Sequence, residues 1–177
     1  MVERVKVNLD AVEALFYFWQ ATQEKEKVNE RFINDVAAMP AYQNIYDEEF
    51  TKESLRKILS AVTNREIFTS QNRKEGRFWN NNLWMLEDLG YTNMIVQPLK
   101  HLNLENLAAK IKNLDVNNKY EEVEVIFLPA HLDDYYVADG KLMINFFKLR
   151  PENESLFVGE QDLLSFIEEK ITSEILK

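Results

Sequence analysis

The chain has 177 residues, of which 46% are hydrophobic and 12% aromatic, so it is long enough to bury one substantial core. It carries 30 acidic and 21 basic side chains and a net charge of −9, and its densest basic stretch, residues 64–77, also contains acids; we therefore expect neither nucleic acid nor an anionic membrane surface as a partner. Cysteine is absent, which excludes disulfides, thiolate nucleophiles and cysteine-ligated metal centres.

Apolar runs are short. The longest, ALFYFW at residues 14–19, is far below the about 20 residues of a membrane-spanning helix. The amino-terminal segment has early acids and lacks the apolar stretch of a secretory signal. These features predict a cytoplasmic protein without a membrane partner.

Helical periodicity dominates the first part of the chain. An amphipathic pattern from Leu9 to about Lys25 predicts a first helix, whose apolar arc is wide enough to contact more than one neighbour. A second helical pattern begins near Val28 and ends before Pro40. Thr51 is an expected N-cap, because its hydroxyl can accept from a free backbone N–H at the start of the next helix.

Two further helices are predicted before the periodicity changes. The first, RFWNNNLWMLEDLG at residues 77–90, ends at Gly90, which we assign to the position after the helix where a positive φ is common. After the segment that leads to Pro98, Asn103 is an expected cap for a short helix that reaches Ile111.

The last third of the chain predicts strands and one helix. EEVEVIFL at residues 121–128 alternates apolar and acidic side chains, as a half-buried strand does. Two strands, at 133–138 and 141–149, are joined by Asp139-Gly140, a strong hairpin signal. An amphipathic helix from about Glu160 to Leu176 follows. We therefore predict one α+β domain, 1–177, with a helical part at 1–115 and a small antiparallel sheet plus a C-terminal helix at 120–177.

Residues 77–90 contain two departures from helical amphipathicity. At about 100° per residue, Asn82 falls on the apolar face and Trp84 on the polar face. Arg77 lies earlier on the same polar face as Trp84. Asn82 is expected to be buried and hydrogen-bonded, either to a neighbouring backbone or to a ligand in a cleft. Trp84 is either covered by another layer of the chain or, with Arg77, anchors a partner, since both residue types are common at interface hot spots.

The same block, extended as KEGRFWNNNLWMLEDLGY at residues 74–91, resembles a family of small, uncharacterised bacterial proteins. The resemblance is most definite over residues 9–91. It implies a bacterial, stand-alone domain and brings no activity, cofactor or catalytic residue with it.

Signatures of common enzymes are missing from the sequence, which contains no HExxH, glycine-rich phosphate loop or GxSxG, and no cofactor is predicted. His131, Asp133 and Asp134 form one acid–base cluster, which we expect to be a solvated turn without a structural metal. A two-residue turn at Asp139-Gly140 places Asp134 opposite Asn145 and Tyr136 opposite Met143. Asp134, Tyr136, Lys141 and Asn145 then form a polar strip, expected to be a wet sheet face.

Two functions remain open from the sequence. The first is a non-catalytic cytoplasmic interaction domain that binds a protein, either another copy of the chain or a different protein, through Arg77 and Trp84; an acidic inhibitor of a basic partner is one specific form. The second is a small-molecule binding protein or enzyme with a pocket between helices and sheet, lined by Asn82, His131, Asp134 and Tyr136.

Overall fold

The computed structural model describes residues 1–114 and 119–177. Its first part contains one short strand followed by helices that are joined by short connections. These elements are β1 (Arg4–Asn8), α1 (Asp10–Gln23), α2 (Glu30–Ala37), α3 (Pro40–Gln43), α4 (Lys52–Asn64), α5 (Arg73–Glu87), α6 (Leu89–Lys100) and α7 (Glu105–Lys112).

The second part is built mainly from strands. A 3-10 turn, Phe146–Lys148, separates two sheets, and a π-helical segment, Ile171–Ile175, extends the last helix. The elements are β2 (Glu122–Leu128), β3 (Tyr135–Ala138), β4 (Lys141–Asn145), β5 (Leu149–Glu152), β6 (Ser155–Val158), β7 (Gln161–Asp162) and α8 (Leu163–Lys170). The predicted α+β class with a C-terminal helix is confirmed, although the residues before α8 pair as a strand and the helix begins at Leu163 rather than near Glu160.

The larger sheet has the strand order β1-β2-β4-β3. The β3–β4 hairpin has the predicted register, with Ala138 opposite Lys141 and Tyr136 opposite Met143, and Gly140 adopts a positive φ of 69° in the turn. The sheet nevertheless differs from the predicted antiparallel one, because β1 pairs with β2, and β2 with β4, in parallel. A long crossover through α1–α7 makes the first of these pairings possible. The smaller sheet, β5-β6-β7, is antiparallel.

Some helix starts follow local capping rules, and two predictions need correction. Asn103 does not occupy the N-cap of α7, which is Leu104, although its side-chain oxygen accepts from the Glu105 backbone N–H over 2.8 Å. Thr51 caps α4 as predicted, and its side chain forms a reciprocal capping box with Ser54. The prediction that Gly90 ends a helix is wrong: α5 ends at Glu87, and Gly90 lies in the first turn of α6. The break comes one residue after Glu87, at Asp88, whose carboxylate accepts from the Tyr91 backbone N–H and so begins a new helix.

Buried side chains form a continuous core that includes residues of both parts of the chain, from Val2 to Leu176. The Tyr42 hydroxyl donates to the Pro129 carbonyl over 2.8 Å and so ties α3 to the loop after β2. The boundary predicted at residue 115 lies outside the described residues. Within the described part, no helix combines the length and apolar character needed to cross a membrane.

Candidate interaction surface on α5 and α6

Helix α5 is fixed at its N-terminal end by polar contacts. Asn72 caps it by accepting from the Glu75 backbone N–H over 3.0 Å. The buried Glu75 carboxylate accepts from the Ser54 hydroxyl over 2.7 Å and from the Gln71 backbone N–H over 2.8 Å. These bonds join the start of α5 to α4, so the rotation of α5 about its axis, and hence its two faces, are set by the core.

The inner face of α5 contains Asn82, which is fully buried. Its side-chain oxygen accepts from the Trp19 indole N–H over 2.8 Å, and its amide nitrogen donates to the Phe78 carbonyl over 2.7 Å. The prediction of a buried, hydrogen-bonded Asn82 is confirmed. Both partners belong to this chain, so the amide bridges α5 and α1 rather than facing a ligand.

The outer face of α5 presents Trp84, whose side chain is 72% exposed. Neither the sheets nor the C-terminal helix cover it, so the interpretation that another layer of the chain buries Trp84 is wrong. A surface cavity of about 490 Å³ adjoins the ring, between the end of α5 and the start of α6. Its lining comprises Arg77, Asn81, Trp84, Met85, Asp88 and Tyr91.

Two arginines at the start of α5 lie on the same exposed face. Arg73 and Arg77 form no ion pair or hydrogen bond with any described residue. Four of the other five arginines do form such contacts: Arg4, Arg56, Arg65 and Arg150. Arg77 also lines a second cavity, of about 440 Å³, together with Arg73 and Asn80. We call Arg73, Arg77, Asn81, Trp84, Asp88 and Tyr91 the α5–α6 surface.

The predicted polar strip on the hairpin is not a wet sheet face, because its member Asn145 is fully buried. The Asn145 amide oxygen accepts from the backbone N–H groups of Ala130 and Phe147, and its nitrogen donates to the carbonyls of His131 and Asp133. These four bonds hold the loop between β2 and β3 against the end of β4. Leu142 and Met143, neighbours that point to opposite sides of β4, are both buried, so both faces of this interior strand are covered.

Two further members of the strip, Asp134 and Tyr136, differ in exposure. Asp134 is exposed, and its backbone carbonyl accepts from the Asn145 N–H over 3.0 Å. Tyr136 is half-buried, and burial raises the pKa of its hydroxyl to about 12. That hydroxyl lies 3.1 Å from Nδ1 of His131.

His131 is buried rather than part of a solvated turn. Its Nδ1 accepts from the Leu132 backbone N–H over 2.9 Å, so the Tyr136 hydroxyl must donate to the same atom and the ring proton must reside on Nε2. Nε2 makes no hydrogen bond of normal geometry with any described residue, although the backbone of Ile45 acts on the ring in the direction that raises its pKa. The ring packs edge-on against Phe50, with centroids 4.8 Å apart.

The electrostatic surroundings keep the His131 ring neutral. Burial lowers its pKa to about 4, with a further contribution from Lys74, while Asp47 and Asp133 oppose the shift. The lone pair of a neutral ring could accept a proton from a substrate, but here two donors already occupy it. Among the described residues, no three or more histidine, aspartate or glutamate side chains are arranged to hold a metal ion.

Comparisons of the chain with protein-family models, with curated proteins and with solved structures find no match. The resemblance of residues 74–91 to a bacterial family therefore stays a prediction.

The sequence assigned Arg77 and Trp84 to a partner-binding surface and placed Asp88 on the same polar face, but it did not assign Asp88 or Tyr91 to that surface. A signal for Asp88 was present, because it lies eleven residues after Arg77 and four after Trp84, the spacing of one helical stripe. Tyr91 lies on α6, beyond the break at Asp88, and the assignment of one helix up to Gly90 concealed the start of that second helix.

Proposed function

We propose that this protein is a non-catalytic interaction domain that binds a protein partner through the α5–α6 surface. The observation that carries the proposal is the 72% exposure of Trp84 on the face of α5 that also carries Arg73 and Arg77, which form no ion pair or hydrogen bond with any described residue. Tryptophan, tyrosine and arginine are the residue types most enriched at interface hot spots, and all three occur on this surface.

The hydrogen bonds of the buried polar groups weaken the alternative function, a small-molecule pocket. Asn82 and Asn145 were candidates for binding, and their side-chain hydrogen bonds are made within the chain. A small-molecule pocket lined by Asn82, Asp134, Tyr136 and His131 has correspondingly less support, because the two most buried of these side chains pack into the core. On the outer face of α5, by contrast, Arg73 and Arg77 are exposed and form no ion pair or hydrogen bond with any described residue.

The chemistry of the surface describes its occupant. Arg73 and Arg77 favour carboxylates, and Trp84 and Tyr91 favour apolar or aromatic side chains. A cytoplasmic acidic inhibitor of a basic partner is supported by the net charge of −9 alone. The arginines of the surface itself favour an occupant that presents an acidic group at that end.

The test is retention of a protein from a lysate of the source cell on the immobilised chain. Trp84→Ala is compared with wild type and with Leu164→Ala, which removes a half-exposed apolar side chain on α8, outside the surface. We expect a protein, which includes an endogenous copy of this chain, to be retained by wild type and Leu164→Ala and lost by about tenfold or more with Trp84→Ala. Identical retention by all three chains would contradict the proposal.

A further inference from the structure

The order of side chains along α5 limits what can bind there. At about 100° per residue, Arg77, Asn81, Trp84 and Asp88 lie within roughly 60° of one another around the helix axis. All four line the same cavity, so the stripe is continuous on the surface. Spacings of four, three and four residues are those of a seam between two packed helices.

The charge along this stripe changes sign from one end to the other. Arg73 and Arg77 lie in the first part of α5, and the exposed Asp88 directly follows its last residue. Arg77 and Asp88 are eleven residues apart, which is about 16 Å along a helix axis. A stripe that is positive at one end and negative at the other is complementary to its own copy running in the opposite direction.

We propose, building on the proposed function, that the partner at the α5–α6 surface is a second copy of this chain, packed with its α5 antiparallel about a two-fold axis. The axis crosses the seam between Asn81 and Trp84. It places Arg77 of each copy against Asp88 of the other, because a two-fold interface repeats every contact reciprocally.

The same arrangement accounts for the centre of the surface. Trp84 of one copy lies against Asn81 and the cavity of about 490 Å³ on the other copy, which removes the exposed indole from water. Tyr91 lies near the basic start of α5 of the second copy, where a cation can pack on its ring. Charge complementarity then fixes the antiparallel direction.

The charge pattern permits a test by exchange. Sedimentation velocity is measured for wild type, Arg77→Asp and Asp88→Arg, each alone, and for the equimolar mixture of the two variants. We expect wild type to dimerise and each variant alone to dimerise at least about tenfold more weakly, because both of its cross-contacts pair like charges. The mixture should regain dimers, since both contacts of the heterodimer pair opposite charges.

Controls separate charge from folding. Arg31→Asp reverses an exposed arginine on α2 that also has no ion pair or hydrogen bond with the described residues, and it should leave the dimer unchanged. Asp88 also caps α6, so Asp88→Asn, which keeps a capping oxygen but removes the charge, should weaken the dimer even if Asp88→Arg folds poorly. Circular dichroism of each variant confirms the fold.

A wild-type chain that stays monomeric at the highest concentration it tolerates would overturn the dimer. So would a mixture that remains monomeric while wild type dimerises. Neither result affects the proposed function if wild type retains a protein from the lysate and Trp84→Ala does not, because the partner is then a different protein. Dimerisation of wild type that Arg77→Asp and Trp84→Ala leave intact would place the interface elsewhere and also overturn the inference.

Discussion

The two faces of α5 differ in where their polar groups find partners. On the inner face, Asn82 bonds to Trp19 and to Phe78 of its own chain. On the outer face, Arg73 and Arg77 have no partner among the described residues, and Trp84 is largely in water. A polar side chain in an apolar face is thus part of the fold when its bonds close within the chain, and function is better sought where they do not.

The largest expected effect comes from the inner face. Phe78 is fully buried and packs edge-on against Phe50 with ring centroids 5.1 Å apart. Phe78→Ala should lower the free energy of unfolding by about 3–5 kcal/mol, through lost burial and the cavity that remains. Urea denaturation measures it. A loss below about 1 kcal/mol would mean that the inner face is not a packed core, and the two faces of α5 would then not differ as described.

A second effect concerns the buried ring that α5 helps to enclose, since Lys74 of α5 is among the charges around His131. The folded pKa of about 4 lies below the ordinary value of 6.5, so the unfolded chain binds a proton at higher pH than the folded chain does. Stability should therefore fall as the pH decreases from about 6.5 to about 4, by about 3 kcal/mol in all.

The measurement for His131 is urea denaturation at several pH values, with His131→Gln as the control. Subtracting the variant removes the contribution of carboxylates that titrate in the same range. The difference in the free energy of unfolding between wild type and His131→Gln should become smaller as the pH falls. NMR titration of the ring should give a midpoint near 4, and a midpoint near 6.5 would show that the ring is solvated.

Asn82 gives a smaller effect on the same inner face. Asn82→Ala should lower the free energy of unfolding by about 1–3 kcal/mol, because the Trp19 indole N–H is left buried without an acceptor. Asn80 is exposed on the same helix, and Asn80→Ala should change the free energy of unfolding by less than about 0.5 kcal/mol. Equal effects of the two substitutions would remove the distinction between the faces.

Local patterns predicted the parts of the fold that depend on neighbours in sequence. The Thr51 cap, the register at Asp139-Gly140 and the burial of Asn82 each depend on residues a few positions apart. The hydrogen bond between Asn82 and Trp19, in contrast, joins residues 63 positions apart, and no local pattern names such a partner.

Long-range pairing explains what the sequence did not predict. Strand β1 is short, alternates charged and apolar residues, and acquires its place only by pairing with β2 more than a hundred residues later. The burial of Asn145 follows from the loop that folds back over it, which the hairpin register alone does not describe. For the candidate surface, the sequence placed Trp84 on the polar face correctly but could not decide whether another layer covers it.

The smallest effect on folding is expected for Trp84→Ala. This substitution is the most direct test of the difference between the inner and outer faces of α5. Because the ring is 72% exposed, most of the free energy available from burying an indole is not realised in the monomer. The substitution should change the free energy of unfolding of the monomer by less than about 0.5 kcal/mol. Association through the α5–α6 surface should weaken by about 2 kcal/mol or more, about 30-fold in the dissociation constant.

Thermal melting at low protein concentration and sedimentation at high concentration measure the two effects of Trp84→Ala separately, with Leu164→Ala as the matched exposed apolar control. Phe78→Ala, on the inner face of α5, should show the opposite pattern, because it should cause a large loss of monomer stability. If Trp84→Ala lowered monomer stability by several kcal/mol, the ring would have to be covered within the chain. If it changed neither quantity, the outer face of α5 would be ordinary solvated surface, and neither Trp84 nor Arg77 would belong to an interface.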